Sequence, residues 1–232
     1  RACVTLYEAM GMNSLEAYTE DFEVALLDNT REHYIRVTAQ WIQNDSTPEY
    51  MMKMEKALDC EKLRVEAYLN PETLVKMMRV LEEEGLEKRQ LELMQKENSG
   101  CCWLLNNCKW DDLARMYRLF ARLPHGLDKM ANEVKEHIVV LGDEEMSKRM
   151  QRITDPEGEK ESDNDPVFIK GLLELHENYT EVVRVHFGSN SLFQKALYDA
   201  FKDIVNRSQG KFKNAELISA FCDRILKKGG EK

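Results

Sequence analysis

Asp111-Asp112-Leu113-Ala114-Arg115-Met116-Tyr117-Arg118-Leu119-Phe120-Ala121-Arg122-Leu123 is the stretch that decides the fold. Leu113, Met116, Tyr117 and Phe120 recur at i, i+3, i+4 and i+7, while Arg115, Arg118 and Arg122 fall on the opposite side. That spacing predicts a helix with one buried and one wet face. Asp111 or Asp112 is expected to cap its start. A helix this short is marginal alone in water, so its apolar stripe requires neighbouring helices. The Arg-rich face fits two roles equally, solvated support or contact with a neighbouring subunit.

Working outward, neighbours are present on both sides. Pro124-His125-Gly126 stops the helix, and Leu127, Met130, Val134 and Ile138 rebuild the pattern at once, which predicts an antiparallel partner after a short connection. Ile138-Val139-Val140-Leu141, just after His137, is the most apolar run and is expected to be a buried helix end. Upstream, Asn98-Ser99-Gly100 is a turn before the short apolar segment at Trp103-Leu104-Leu105. Leu74, Met78 and Leu81 align behind the cap-then-proline signal Asn70-Pro71, and Gly85 marks a kink or break. The run Glu82-Glu83-Glu84 reads as a solvated face.

Towards the amino end, Ala2 to Met10 is expected to be helical and closed by Gly11. A long helix follows from about Leu15, with Phe22, Leu26, Tyr34, Val37 and Trp41 on one face. Thr47 and Pro48 are expected to cap and start the next helix, whose stripe of Met51, Met54, Leu58, Val65 and Leu69 turns polar at Glu61 and Lys62. Towards the carboxy end, 154–164 has almost nothing to bury and is expected to be an exposed acidic loop between two sub-bundles. Asp165-Pro166 then starts a helix carrying Phe168, Leu172, Leu175, Tyr179, Val182 and Val183, closed by Gly188. Ser191 with Gln194 has capping-box spacing ahead of Phe193, Leu197, Phe201 and Ile204. A last helix runs from Asn214 through Leu217, Ile218, Phe221 and Ile225. No strand-like alternation competes with these patterns, and the chain reads as all-α.

With 232 residues, 43% hydrophobic and 32% charged, the chain has enough apolar surface for a core. A net charge of -9 argues against a general nucleic-acid binder, which needs a basic footprint, and against adhesion to an anionic membrane. No apolar run is long enough to span a bilayer and no secretory signal pattern opens the chain, so a soluble intracellular protein is expected. It starts at Arg1, and the true start is expected to lie upstream.

Cys101, Cys102 and Cys108 cluster but lack a CxxC pair or a matching fourth ligand, and with Cys3, Cys60 and Cys222 they read as reduced thiols. His33 sits on a helix with no second catalytic group at a recognisable spacing. Cys222 is followed by Asp223, but adjacent residues on a helix do not face each other. Met51, Met52, Met54, Met77, Met78 and Met94 suit an adaptable binding surface or, more simply, core filling. No phosphate-loop, dinucleotide, HExxH or GxSxG pattern occurs. The expectation is therefore no catalytic, cofactor-binding or metal residue, no cofactor and no enzymatic activity.

Four stretches in order carry a family resemblance: Asp111 to Tyr117; Glu174-Leu175-His176-Glu177-Asn178-Tyr179; Ser191-Leu192-Phe193-Gln194-Lys195-Ala196-Leu197; and Ala215 to Lys228. They resemble the amino-terminal stalk of cullins. Tyr18 to Glu23, Trp41 to Ser46 and Ser99-Gly100-Cys101 look most like plant cullin 1. The resemblance implies an elongated stack of cullin-repeat bundles, an α-solenoid-like rod. It divides the chain into a second-repeat-like 1–153 with the end of the preceding repeat, the loop 154–164, and an incomplete following repeat at 165–232. It implies a non-catalytic scaffold of a Skp–cullin–F-box ubiquitin ligase in the cytoplasm and nucleus, holding the substrate receptor apart from the RING and ubiquitin-conjugating module. The implied partners are a Skp-type adaptor, an F-box protein and a RING subunit, bound through regions mostly missing here. The family's adaptor-binding helices and RING-binding region are not recognisable in this stretch, so no functional residue carries over. A helical rod of a vesicle-tethering complex is the alternative.

Overall fold

The computed structural model describes residues 1–11, 14–155, 162, 164–208 and 210–229. Among the described residues the regular elements are helical, and the only β-like feature is an isolated bridge between Ser208 and Lys213. Two compact units form, Arg1–Leu127 and Asp128–Lys232.

In the first unit, α1 (Ala2–Met10) and α2 (Glu16–Tyr18) precede a π-helical turn at Thr19–Glu23 that runs straight into α3 (Val24–Asn44). Then come α4 (Thr47–Tyr68), α5 (Thr73–Gly85), a 3-10 turn at Glu87–Arg89, α6 (Gln90–Gln95), α7 (Cys101–Asn106) and α8 (Trp110–Phe120). The π turn shifts the phase of the long helix predicted from Leu15 and brings Tyr18 and Glu23 to a common partner, Thr73, at 2.8 and 2.7 Å. Beyond the turn, Tyr34, Thr38 and Ile42 are the deepest side chains, with the expected Val37 and Trp41 only half-buried. Tyr50, Met51, Met54, Leu58 and Val65 of α4 meet Met77, Val80 and Leu81 of α5 in the core, and α8 adds Leu113, Met116, Leu119 and Phe120. Each such side chain contributes about 1.5–3 kcal/mol by burial.

The helix starts are placed one or two residues away from where the sequence pattern set them. Ser46, not Thr47, caps α4: it forms a reciprocal capping box with Glu49. Thr47 is fully buried and donates to the Leu93 carbonyl at 3.0 Å. For α8 the cap position is Lys109, while Asp111 and Asp112 lie in the first turn, where their charge suits the helix dipole. Pro71 lies in the turn before α5, where Asn70 accepts from the Glu72 amide at 2.9 Å. At the other end of α3, Lys96 donates to the Ile42 carbonyl and, at 2.6 Å, to the Asp45 carbonyl, satisfying acceptors that a helix end leaves open. Gly85 ends α5 at a close crossing: a Cβ there would lie 2.4 Å from Met54 Sδ, and its carbonyl accepts from Tyr50 Oη at 2.7 Å.

The second unit holds α9 (Asp128–Thr154), α10 (Pro166–His186), α11 (Ser191–Asn206) and α12 (Asn214–Gly229). It begins at α9 because that helix packs on α11 and α10. The loop expected at 154–164 therefore falls inside this unit, and most of it, 156–161 and 163, is outside the described residues. The helix expected to pair with α8 is α9, which belongs to this second unit; within the first unit α8 packs on α4 and α7. Ile138 to Leu141 is not a helix end but the middle of a 27-residue helix, with Ile138 buried and Val140 exposed. Gly142 lets α11 approach so closely that a Cβ would lie 2.4 Å from Ile204 Cδ1.

Asp165 caps α10 as expected, accepting from the Phe168 amide at 3.0 Å. Asn190 rather than Ser191 caps α11, at 2.9 Å from the Leu192 amide. Phe168, Leu172, Tyr179, Val182, Val183, Phe187 and Phe193 make an aliphatic and aromatic core, with Phe187 stacked on Phe193 at 4.3 Å. Over residues 214–227 of α12 only Asn214 and Leu217 are buried; Ile218 and Phe221 are half-covered and Ile225 is exposed, so its stripe is less enclosed than its periodicity predicts.

Candidate functional site

The side chains weighed for chemistry do not converge. His33 is exposed and makes only an edge contact with the Tyr34 ring at 5.1 Å. Cys60, Cys102, Cys108 and Cys222 are exposed and Cys101 is buried. Asp223 turns to Lys227 at 2.6 Å. Met51, Met54, Met77 and Met94 are buried core residues and Met52 is exposed, which favours the core-filling role. Among the described residues no three His, Cys, Asp or Glu side chains form a group that could hold a metal ion. Among the described residues no helix is long and apolar enough to cross a membrane.

Polar side chains meet instead at helix contacts. On α8, Arg115 reaches Glu55 of α4 at 3.2 Å and Asp112 at 3.0 Å, and Arg118 reaches the other oxygen of Glu55 at 3.1 Å; in the turn that follows, Arg122 reaches Glu82 of α5 at 2.8 Å. The Arg face thus clasps two helices of its own unit, a role absent from the two alternatives drawn from its sequence.

Nor is the glutamate run a solvated face. Glu84 is buried and binds Arg31 at 2.5 Å and Lys88 at 2.8 Å, while Glu83 takes the same guanidinium nitrogen at 2.9 Å. Hydrogen bonding to Arg31 holds the Glu83 carboxyl below its ordinary value. Glu23, also buried, joins Thr73 to Lys76 at 2.7 and 2.6 Å. Glu61 accepts from Tyr34 Oη at 3.1 Å and pairs with Arg64 at 2.9 Å. Burial, then the Glu61 charge, pushes the Tyr34 hydroxyl well above its ordinary value. Carboxylates so compensated hold helices in register. Periodicity could not reveal the burial of Glu84 and Glu23, because Arg31 and Thr73 lie 53 and 50 residues away in the chain.

In the second unit the corresponding feature has the opposite sign. Arg149 is 1% exposed, lies 3.3 Å from Asp165 through Nε and sits over the Phe168 ring. Arg152 reaches Asp165 at 3.2 Å. This cluster ties the end of α9 to the start of α10. His137, buried on α9 with its ring 5.9 Å from that of Tyr179, is held below its ordinary value by burial.

Amphipathic helices stacked on near neighbours, with ion pairs at their crossings, define an all-α protein of the helical-repeat class. The chain belongs to the cullin family: the Cullin alpha solenoid domain model matches residues 1–232. It is 38% identical to Cullin-2 of Arabidopsis thaliana over 229 residues, covering 98% of this chain and 31% of that protein. It is 36% identical to Cullin-1 of Oryza sativa subsp. japonica over 230 residues, with the same coverages. Cullin-3A of Arabidopsis thaliana is 35% identical over 213 residues, 91% of this chain and 27% of that protein. The similarity shows the family without singling out one cullin type, and the chain spans about a third of the length of these relatives. It also decides against the vesicle-tethering alternative.

Proposed function

We propose that this chain is a non-catalytic stalk segment of a Skp–cullin–F-box type ubiquitin ligase, acting in the cytoplasm and nucleus. Its role is to hold a substrate receptor at a set distance from the RING and ubiquitin-conjugating module. Family membership over the whole chain carries this reading. Buried ion pairs that fix helix against helix within each unit support it, since a spacer must resist bending. In this reading 1–153 forms a second repeat with the end of the preceding one, 154–164 an exposed acidic loop, and 165–232 part of the following repeat. The Skp-type adaptor, F-box protein and RING subunit bind elsewhere in the complete protein.

The test places residues 1–232 between an adaptor-binding first repeat and a RING-binding carboxy-terminal region. The expected product co-purifies with a Skp-type adaptor and a RING subunit and transfers ubiquitin to a receptor-bound substrate. A flexible Gly/Ser insertion at Leu127 is expected to slow transfer while both partners stay bound. Failure to recover either partner overturns the scaffold role, and unchanged transfer with the insertion overturns the spacing role.

A further inference from the structure

In the second unit, α10 and α11 leave an open groove of about 410 Å³ that has no place in the stalk reading. Leu197, Phe201 and Val205 contribute its apolar lining, and His176 of α10 abuts Phe201 edge-on at 4.9 Å. Tyr198 stands 67% exposed on its rim beside Lys202. Among the described residues no carboxylate lines it, although the chain is acidic overall.

Charge is sorted around α11. Lys195, Tyr198 and Lys202 follow i, i+3, i+7 spacing, so they share one solvent-facing stripe, and all three are exposed. Neither lysine has an ion-pair partner among the described residues. The acidic residues of this helix serve another neighbour: Asp203 pairs with Lys135 of α9 at 2.9 Å, and Asp199 adds its field to the same lysine. An apolar trough with Lys202 and an exposed tyrosine on its rim, and Lys195 further along the same stripe, complements a ligand of opposite charge with an apolar anchor.

We propose that the α10–α11 groove docks an acidic peptide segment of another protein. A leucine or phenylalanine of that segment enters between Phe201 and Val205, and flanking carboxylates pair with Lys195 and Lys202.

The probe is a fluorescein-labelled peptide of repeating Glu-Leu-Phe-Glu units, titrated with the full chain and followed by anisotropy. Binding is expected, weakened by salt, and reduced about tenfold or more when Lys195→Glu and Lys202→Glu are combined. Lys195→Arg with Lys202→Arg should retain it, and Tyr198→Ala should weaken it. Circular dichroism melts confirm that these surface variants stay folded. No binding, equal binding to the charge-reversed variant, or equal binding of a Lys-Leu-Phe-Lys peptide overturns the proposal. So does a concentration-dependent dimer abolished by the charge reversal, because a second copy would then be the occupant.

Discussion

The two units solve the same problem with different materials. In the first, buried carboxylates at Glu23, Glu61 and Glu84 are each met by a partly exposed lysine or arginine, and Met51, Met54, Met77, Met94 and Met116 are buried among leucines. In the second, one buried guanidinium at Arg149 is met by a buried carboxylate at Asp165, amid aromatic and branched side chains. The cations of the first unit can return to water if a pair is lost. Arg149 cannot.

That contrast breaks most sharply under Asp165→Ala. It removes a helix cap and takes a carboxylate partner from a buried guanidinium, so a loss of about 2–4 kcal/mol is expected. Glu84→Ala leaves Arg31 and Lys88 free to hydrate, and about 1–3 kcal/mol is expected. Trp41, Trp103 and Trp110 all lie in the first unit, so fluorescence melts follow that unit while calorimetry follows both. A tryptophan transition that shifts as far in Asp165→Ala as in Glu84→Ala would contradict the assignment.

Two glycines sharpen the comparison. Alanine at Gly142 presses on a branched isoleucine in the middle of α9, and overpacking there should cost about 1–3 kcal/mol despite the helix propensity gained. At Gly85 the obstacle is the far end of Met54, which can swing away, so the loss should stay below about 1 kcal/mol. Denaturant midpoints of the two variants, ranked in the reverse order, would refute the difference in core plasticity.

Acidification separates the units differently. Because the folded His137 pKa lies below its ordinary value of 6.5, the unfolded chain takes up a proton first. The second unit should therefore lose stability as pH falls below about 6.5 and continue to do so until the folded pKa is passed. His137→Gln should flatten that slope. In the first unit, Glu83 is depressed by Arg31, so its contribution is lost only further down, below the ordinary carboxylate value. Melting temperatures of wild type and His137→Gln across pH 7 to 5, if parallel, remove the histidine from this account. The smallest effect is expected for Glu55→Ala, which releases one part-buried and one exposed pair with α8, at less than about 1 kcal/mol in chemical denaturation.

How much was legible in the sequence follows from the range of each interaction. Leu113, Met116 and Phe120 declared their buried face because the relevant period is local, and Asp165-Pro166 declared its cap because the partner is three residues on. Thr47 was misread for Ser46 because both residue types can cap, and only the Leu93 carbonyl, 46 residues away, claims the threonine. Charge alone places Glu84 on a solvated face and makes Glu61 a polar break in the α4 stripe; their burial depends on Arg31 and Tyr34, whose approach no periodicity encodes. The apolar run at Ile138 misled by composition, since a long helix carries Val140 round to solvent. For function, no catalytic constellation was legible, the family resemblance carried the reading, and the α10–α11 groove went unseen because its walls come from two helices.

Within each unit the dominant packing joins helices close in sequence, α3 with α5, α4 with α5, α9 with α11 and α10. This has a consequence for birth rather than architecture. By the time Leu127 has left a ribosome, every residue that the first unit's core requires has already been made. Short-range pairing of this kind favours rapid, sequential folding, so the first unit can be secured while the second is still being translated.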